Sequence, residues 1–263
     1  MGKKREMLGE VEVLRNGTDY NQYTMSPIEW LFYAVAAGAV LFGVGWVFYQ
    51  NVILSGLLAF GGVIYPKIRR KQIIANRKAK LNLQFKDMLY SLSSAVGAGN
   101  SVEKALTVTL EDMRQQYNDP NAFIIKELEL MVNRVAMNRT IEEILNDFAE
   151  RSHLEDIQTF ANIFEISKRT GGNLIEIIRN TTQIIADKIE TQTEIETMIS
   201  GKQMEQKVIM VMPVALVFYM SKAGGDFMEP IFTTLVGRII ATVCLAVVLV
   251  GGIWSKKIAD IRI

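Results

Sequence analysis

Residues 28–48 read IEWLFYAVAAGAVLFGVGWVF and contain one charged residue, Glu29, at the beginning. This length is sufficient to cross the hydrocarbon core of a bilayer as a helix. Ser26 and Glu29 have the spacing of a capping box, and Pro27 suits the first helical turn. Further apolar runs follow at 52–65, 208–220 and 239–254. The repetition of such runs predicts a polytopic membrane protein.

The second apolar run, 52–65, is shorter than the roughly 20 residues that a transmembrane helix requires. Pro66 follows it directly, and we interpret that proline as the end of the run. The first two runs then form a tight transmembrane hairpin, and a re-entrant hairpin is the alternative. Whether 52–65 crosses the whole bilayer stays open at this point.

Lysine and arginine indicate the orientation of the spans. The N-terminal 25 residues and the segment after the second run are rich in basic residues, whereas the loop after the third run has only Lys222 before the Arg238 that adjoins the fourth run. The positive-inside bias therefore places both termini and the central region in the cytoplasm. The predicted organisation is a cytoplasmic tail (1–25), a transmembrane hairpin (26–66), a cytoplasmic bundle (67–207), two transmembrane helices (208–254) and a cytoplasmic tail (255–263). The net charge of +1 argues against nucleic acid as a partner.

The central region has helical periodicity and no alternating strand pattern. Breaks are predicted at Gly97–Asn100 and Gly171-Gly172, and at least one glycine of the second pair is expected to have positive φ as a helix C-cap. Helix starts are predicted by the following residues: Ser101, Asp119-Pro120, Thr140, Ser152 and Asn173. The fold class is therefore all-α, with an antiparallel bundle of about six helices.

Catalytic constellations are absent from the sequence. There is no P-loop, no Gly-x-Ser-x-Gly motif, one histidine (His153) and one cysteine (Cys244). We therefore predict no enzymatic activity, no cofactor and no metal centre. We interpret the carboxylates of the central region as a solvated helical face, with a cation site between helices as the alternative; they are Glu127, Glu129, Glu142, Glu143, Asp147, Glu150, Asp156 and Glu165.

Two groups of motifs carry a family resemblance. The first comprises QFKDML at 84–89 and SSAVGAGNSV at 93–102. The second comprises IEEIL at 141–145, FAERS at 148–152, Asp156 and KRTGGNL at 168–174. In this order the motifs resemble the type II secretion system F-domain family, over roughly residues 80–210. One departure is Asn138, where the family commonly has glycine; asparagine tolerates the left-handed conformation that such a turn needs.

The resemblance implies which residues form the family motif and its structural turns: Gln84, Phe85, Asp87, Gly99, Ser101, Arg151, Asp156, Arg169, Gly171 and Gly172. Many members carry the domain twice, and this chain carries it once, with two apolar runs before it and two after. That layout is similar to the single-domain TadB and TadC branch of the tight-adherence pilus system. It implies an inner or cytoplasmic membrane platform that couples a hexameric secretion ATPase to pilin extraction and assembly.

The implied partners are the ATPase, pilin subunits, the lipid bilayer, and a second F-domain protein or a second copy of the chain. The turns at Gly97–Ser101 and Gly171–Asn173 are our candidates for ATPase docking. The charged residues beside them are the candidate contacts: Glu103, Lys104, Lys168 and Arg169. The alternative function is a membrane signalling adaptor whose central helices dimerise, although the predicted outer loops are too short for a ligand-binding domain.

Overall fold

The computed structural model of the chain describes residues 17–171, 173–225 and 228–259. Throughout these residues the fold is all-α, without a β-strand, as the sequence predicts. The chain divides into two compact units. We call Met1–Tyr23 with Lys71–Gln192 the core unit, and Thr24–Arg70 with Thr193–Ile263 the apolar unit.

The helices are α1 (Pro27–Tyr49), α2 (Val52–Ala59), a 3-10 helix (Phe60–Ile64), α3 (Tyr65–Gly97), α4 (Val102–Tyr117), α5 (Phe123–Ala136), α6 (Ile141–Ser152), α7 (Glu155–Thr170), α8 (Leu174–Ala223), α9 (Glu229–Thr233) and α10 (Leu235–Ala259). Helices α3 and α8 each contain residues of both units. Within the described part of the core unit, all or part of six helices, α3 to α8, are present.

Polar side chains cap three helices of the core unit where the sequence predicts it. The Ser101 Oγ accepts the Lys104 N–H of α4 at 3.4 Å, and the Thr140 Oγ1 accepts the Glu143 N–H of α6 at 3.3 Å. The Asn173 Oδ1 accepts an N–H in the first turn of α8 at 3.4 Å. Each cap satisfies a backbone donor that has no partner inside its helix.

Several turns between the helices need a left-handed backbone. Gly99 has φ +87° and Gly171 has φ +69°, which confirms the prediction that glycine ends α7 in this conformation. Asn138 has φ +60° and is thus an asparagine in a left-handed turn, as predicted. His153 also has positive φ, at +51°. Gly172, which we predicted as part of the α7 turn, lies outside the described residues.

Three predicted helix boundaries are wrong. Ser152 does not start α7, because it is the last residue of α6 and α7 begins at Glu155. Pro66 does not end a helix, because it is the second residue of α3 and a proline in the first turn removes no intrahelical hydrogen bond. Asp119-Pro120 does not start α5, which begins at Phe123. The Asp119 backbone carbonyl instead accepts the Ala122 N–H at 3.0 Å, which closes a turn before the helix.

The core unit is held together by a continuous set of buried side chains at helical spacing. Phe85 of α3 packs edge-to-face against Phe148 of α6 and Phe160 of α7, with ring centroids 6.1 Å and 5.9 Å apart. Leu81, Met88, Leu89 and Leu92 extend the same face of α3 and are at most 1% exposed. Aromatic pairs of this geometry stabilise a core beyond the area that they bury.

The apolar unit has a small core and a large exposed apolar surface. Phe48 and Tyr49 of α1 pack with Ala241 and Leu245 of α10, whereas most large side chains of α1 are exposed. Among the described residues, four helical stretches have the length and composition of membrane spans: Pro27–Tyr49, Val52–Gly97, Leu174–Ala223 and Leu235–Gly252. An exposed apolar surface of this extent fits hydrocarbon rather than water. The prediction of a polytopic helical membrane protein is therefore confirmed.

Candidate functional site

The segment 17–23, which we call the N-terminal strap, packs into the core unit. Tyr20 is 2% exposed, and its ring lies edge-to-face with Phe123 of α5 at 5.6 Å. Its backbone N–H donates to the Arg151 carbonyl at 3.0 Å, and its hydroxyl donates to Glu127 Oε1 at 3.0 Å. The strap is therefore held by both its backbone and a buried aromatic anchor.

Glu127 and Arg151 form a buried ion pair beneath the strap. The Arg151 guanidinium donates from Nη1 to Glu127 Oε1 at 2.8 Å and from Nη2 to Oε2 at 2.7 Å. Its Nε donates to Asp147 Oδ2 at 2.7 Å, and Arg134 donates to the same carboxylate oxygen. Nη1 of Arg151 also reaches the Thr18 carbonyl at 3.2 Å. This bidentate pairing links α5, α6 and the strap in one network.

The electrostatics of this network follow from burial and charge. Burial raises the pKa of the Tyr20 hydroxyl far above its usual range, and the negative charge of Glu127 raises it further. Burial on its own would lower the pKa of Arg151, but its hydrogen bonds and attraction to Glu127 and Asp147 outweigh this and raise it. Tyr20 thus stays neutral and Arg151 charged, and the buried carboxylate of Glu127 is compensated.

Asp156 is a second buried carboxylate, 6% exposed, at the start of α7. It accepts hydrogen bonds from Asn82 Nδ2 of α3 at 2.9 Å and from Lys188 Nζ of α8 at 2.7 Å. The hydrogen bond to Asp156 raises the pKa of Lys188, against the opposing effect of burial. Arg151 and Asp156, both predicted from the motif, therefore connect helices of the core unit.

The interpretation of the acidic residues as a solvated face is wrong for Glu127 and Asp156. Both are buried because basic side chains distant in sequence reach them. The alternative was a cation site between helices. The part of the chain that the structure describes has no group of three or more His, Cys, Asp or Glu side chains that could hold a metal ion.

The motif on α3 contacts the next two helices. Gln84 is 2% exposed, and its Oε1 accepts the Ile124 N–H in the first turn of α5 at 3.2 Å. Asp87 accepts a hydrogen bond from the hydroxyl of Tyr117, the last residue of α4. Burial raises the pKa of that Tyr117 hydroxyl, and the hydrogen bond to Asp87 adds to the rise. The motif residues Gln84, Phe85 and Asp87 are therefore packing and positioning groups.

The residues that we predicted as partner contacts are exposed. Glu103 and Lys104 lie in the first turn of α4, after Gly99 and Ser101. Lys168 and Arg169 lie in the last turn of α7, before Gly171.

Of these four residues, Lys168 has a partner within the chain. Its Nζ lies 2.8 Å from the Glu142 Oε2. Burial raises the pKa of the Glu142 carboxyl, but the Lys168 hydrogen bond and charge and the backbone hydrogen bond outweigh it, so the pKa lies below its usual value. Part of the charge of Lys168 is thus compensated inside the core unit.

These features define a class, namely a polytopic helical membrane protein with a charged, well-packed core unit. A family model of Type II secretion system (T2SS), protein F, matches residues 88–222, just over half of the chain, and the chain belongs to this family. Gln84, Phe85 and Asp87 lie directly before the matched range, and the other motif residues lie inside it. Family members are membrane platform proteins of secretion and pilus systems and are not known as enzymes. No curated protein and no solved structure matches the chain.

Proposed function

We propose that this chain is a platform protein in the cytoplasmic membrane of a type II secretion-like or tight-adherence pilus machine. In this role it couples a cytoplasmic secretion ATPase to the extraction of pilins from the bilayer and hydrolyses nothing itself. The observation that carries the proposal is the family match over 88–222, a range that includes residues of both the core unit and the apolar unit. The single-domain layout favours the TadB and TadC branch.

The long helix α8 supports the mechanical part of the proposal. Its 50 residues, Leu174–Ala223, include buried positions of the core unit and a segment apolar enough to cross a membrane. The hydrogen bonds of a helix join its successive turns, so α8 can pass a displacement along the chain, with Pro213, which removes one of these bonds, as the place where the helix bends most easily. The helix therefore offers a path from ATPase movement to pilins at the membrane.

Both termini and the core unit are assigned to the cytoplasm by the bias of basic residues. The proposed domains are those of the sequence analysis, with the bundle at 67–207 and membrane segments at 26–66 and 208–254. A reporter fused after Ile263 is expected to be cytoplasmic, and one inserted near Gly225 is expected to be external. The opposite pair of results would reverse the assignment.

The proposed ATPase contact is formed by the turns at the start of α4 and the end of α7. Glu103 and Lys104 are exposed and adjacent, and Arg169 is exposed beside Lys168. Exposed charges at an interface set partner choice and association rate more than affinity. A pilin and a second F-domain protein, or a second copy of the chain, complete the proposed set of partners.

Charge reversal tests the docking surface in the full-length protein. The double variant Glu103→Lys with Lys104→Glu keeps the net charge, and we expect it to reduce ATPase co-purification from native membranes and to reduce piliation. Glu111→Lys with Lys126→Glu is the matched control, since these residues are also exposed in the core unit. Co-purification of the ATPase should be measured at ~0.15 M salt, where interactions between charges more than ~8 Å apart are screened. Wild-type recruitment by the double variant would exclude this surface.

A further inference from the structure

The first part of α3 has an unusual concentration of positive charge. Residues 65–86 contain eight lysines and arginines and no acidic residue. Lys67 and Arg70 are exposed, and neither forms an ion pair with any residue that the structure describes. At a separation of three residues they lie on the same face of the helix, where like charges destabilise each other. An anion bound from outside the chain would offset the repulsion between Lys67 and Arg70.

An apolar side chain accompanies these cations, and a second lies beside them. Ile64 lies three residues before Lys67 and therefore on the same face of the helix, whereas Ile68 directly follows Lys67 and points away from Arg70. Both are exposed, at 62% and 45%. A soluble anion gains nothing from such neighbours, whereas a lipid places an acyl chain directly beside its charged headgroup. The combination therefore favours a lipid over a free anion.

An arginine beside this face marks the level of the membrane surface. The Arg69 guanidinium lies 5.8 Å from the ring centroid of Tyr33 on α1, an arrangement within cation–π range. Tyrosine and basic side chains concentrate where the hydrocarbon meets the headgroups. Lys67 and Arg70, within two residues of Arg69, are therefore expected at the height of the phospholipid phosphates.

We propose that Lys67 and Arg70 bind the headgroup of an anionic phospholipid, with Ile64 contacting its acyl chain. The proposal rests on the membrane placement of the apolar helices and not on coupling to an ATPase. It goes beyond the positive-inside rule, because topology requires basic residues on this side but no preference for one lipid. Binding would fix the position of α3 relative to the bilayer surface.

Native mass spectrometry of the full-length protein in mild detergent tests the preference. We expect the wild-type protein to retain phosphatidylglycerol over phosphatidylcholine. The variant Lys67→Gln with Arg70→Gln is expected to lose roughly tenfold or more of that affinity. Lys126→Gln with Arg179→Gln changes the net charge equally at two exposed residues of the core unit and should bind as the wild type does. Equal retention of both lipids by the wild type, or wild-type retention by the Lys67/Arg70 variant, would overturn the proposal.

Two further measurements keep the test decisive if the Lys67/Arg70 variant fails to insert correctly. Raising the salt from ~0.05 to ~0.5 M should weaken phosphatidylglycerol binding to the wild type, because charge–charge attraction is screened. Adding glycerol phosphate at the same concentration as the lipid should displace little of it. Phosphatidylglycerol binding that does not change with salt would contradict a charge-based headgroup site. Full displacement of the lipid by glycerol phosphate would identify a site for a soluble phosphate instead.

Discussion

The core unit and the apolar unit place their large apolar side chains in opposite ways. In the core unit Phe85, Phe148 and Phe160 are at most 2% exposed and pack on each other. In the apolar unit Phe32 and Val40 are 70% and 68% exposed, although they are equally apolar. The difference indicates that one chain is folded in two solvents, with the core unit excluding water by itself and the apolar unit relying on lipid.

The polar contacts differ in the same way. The core unit buries Glu127 and Asp156 with charged partners. In the apolar unit the interhelical contacts Tyr49 Oη to Thr242 Oγ1 at 2.9 Å and Gln50 Nε2 to Ser221 Oγ at 2.8 Å join neutral groups. Neutral hydrogen bonds avoid the cost of charge in a bilayer. Each unit thus uses the polar chemistry that its solvent permits.

The largest effect is expected from removing a buried charge in the core unit. Glu127→Ala leaves the Arg151 guanidinium partly uncompensated and should cost about 3–5 kcal/mol of unfolding free energy, at the lower end because Asp147 still contacts it. Hydrogen exchange in α5 and α6 of the full-length protein measures this unit separately. Glu129→Ala removes an exposed pair with Arg114 and should cost only about 0–1 kcal/mol. Similar losses in the two variants would contradict the buried network.

The next prediction tests whether the apolar unit faces lipid or water. Val40 lies in the middle of α1, and Val40→Lys should cost about 2.5–3.5 kcal/mol of membrane insertion. If α1 faced water, the same substitution would change little, since the side chain is exposed. Ile28→Lys is the control, because Ile28 is 80% exposed but lies at the end of α1 where lysine can reach the interface. Quantifying carbonate-resistant protein checks this, and equal insertion of both variants would contradict a lipid-facing α1.

A smaller effect is expected at the strap. Tyr20→Phe removes the hydrogen bond to the Glu127 carboxylate and should cost about 1.5–3 kcal/mol. The folded-state pKa of Tyr20 is raised above its unfolded value of about 10, so the neutral hydroxyl stabilises the fold fully below pH ~10 and loses this effect as pH rises further. The stability difference between wild type and variant should therefore be constant from pH ~6 to ~9 and shrink above ~10, as followed by hydrogen exchange. A difference that grows with alkaline pH would show that Tyr20 is not buried.

The smallest effect is expected at the turn after α7. Gly171 has φ +69°, and Gly171→Val should lower the unfolding free energy of the core unit by about 1–2 kcal/mol through backbone strain. No atom outside the turn comes within 4 Å of an added Cβ there, so the cost reflects conformation and not a clash. Gly171→Asn tolerates this conformation and should cost clearly less. An unchanged melting temperature in Gly171→Val would contradict the left-handed assignment.

Local features of this fold could be predicted from the sequence because their causes are local. Ser101 and Thr140 cap helices, and Gly171 ends one, through contacts with residues three or four positions away. The apolar runs likewise identify membrane-length helices from composition alone. The start of α5 was missed because Asp119-Pro120 satisfies the rules of a turn as well as those of a helix start.

The site was predicted less well because its contacts are distant in sequence. Glu127 lies in a pattern that suits an exposed face. Its charge is compensated in the buried state only by Arg151, which lies 24 residues later. Tyr20 lies in a polar segment with no periodicity, so nothing near it indicates a pocket in α5. Arg151 and Asp156 were found through the family motif, and the role of each within the core unit required the structure.

The distance along the chain between Tyr20 and Glu127 has a consequence for biosynthesis. The two residues are 107 positions apart, so a ribosome that adds about 5–20 residues per second delivers Glu127 about 5–20 s after Tyr20. During this interval Tyr20 has no pocket, while α1 and α2 have already been translated. The strap can therefore pack against α5 only after the first membrane segments have been made. A factor that shields the exposed Tyr20 side chain would act during this interval, before the core unit is complete.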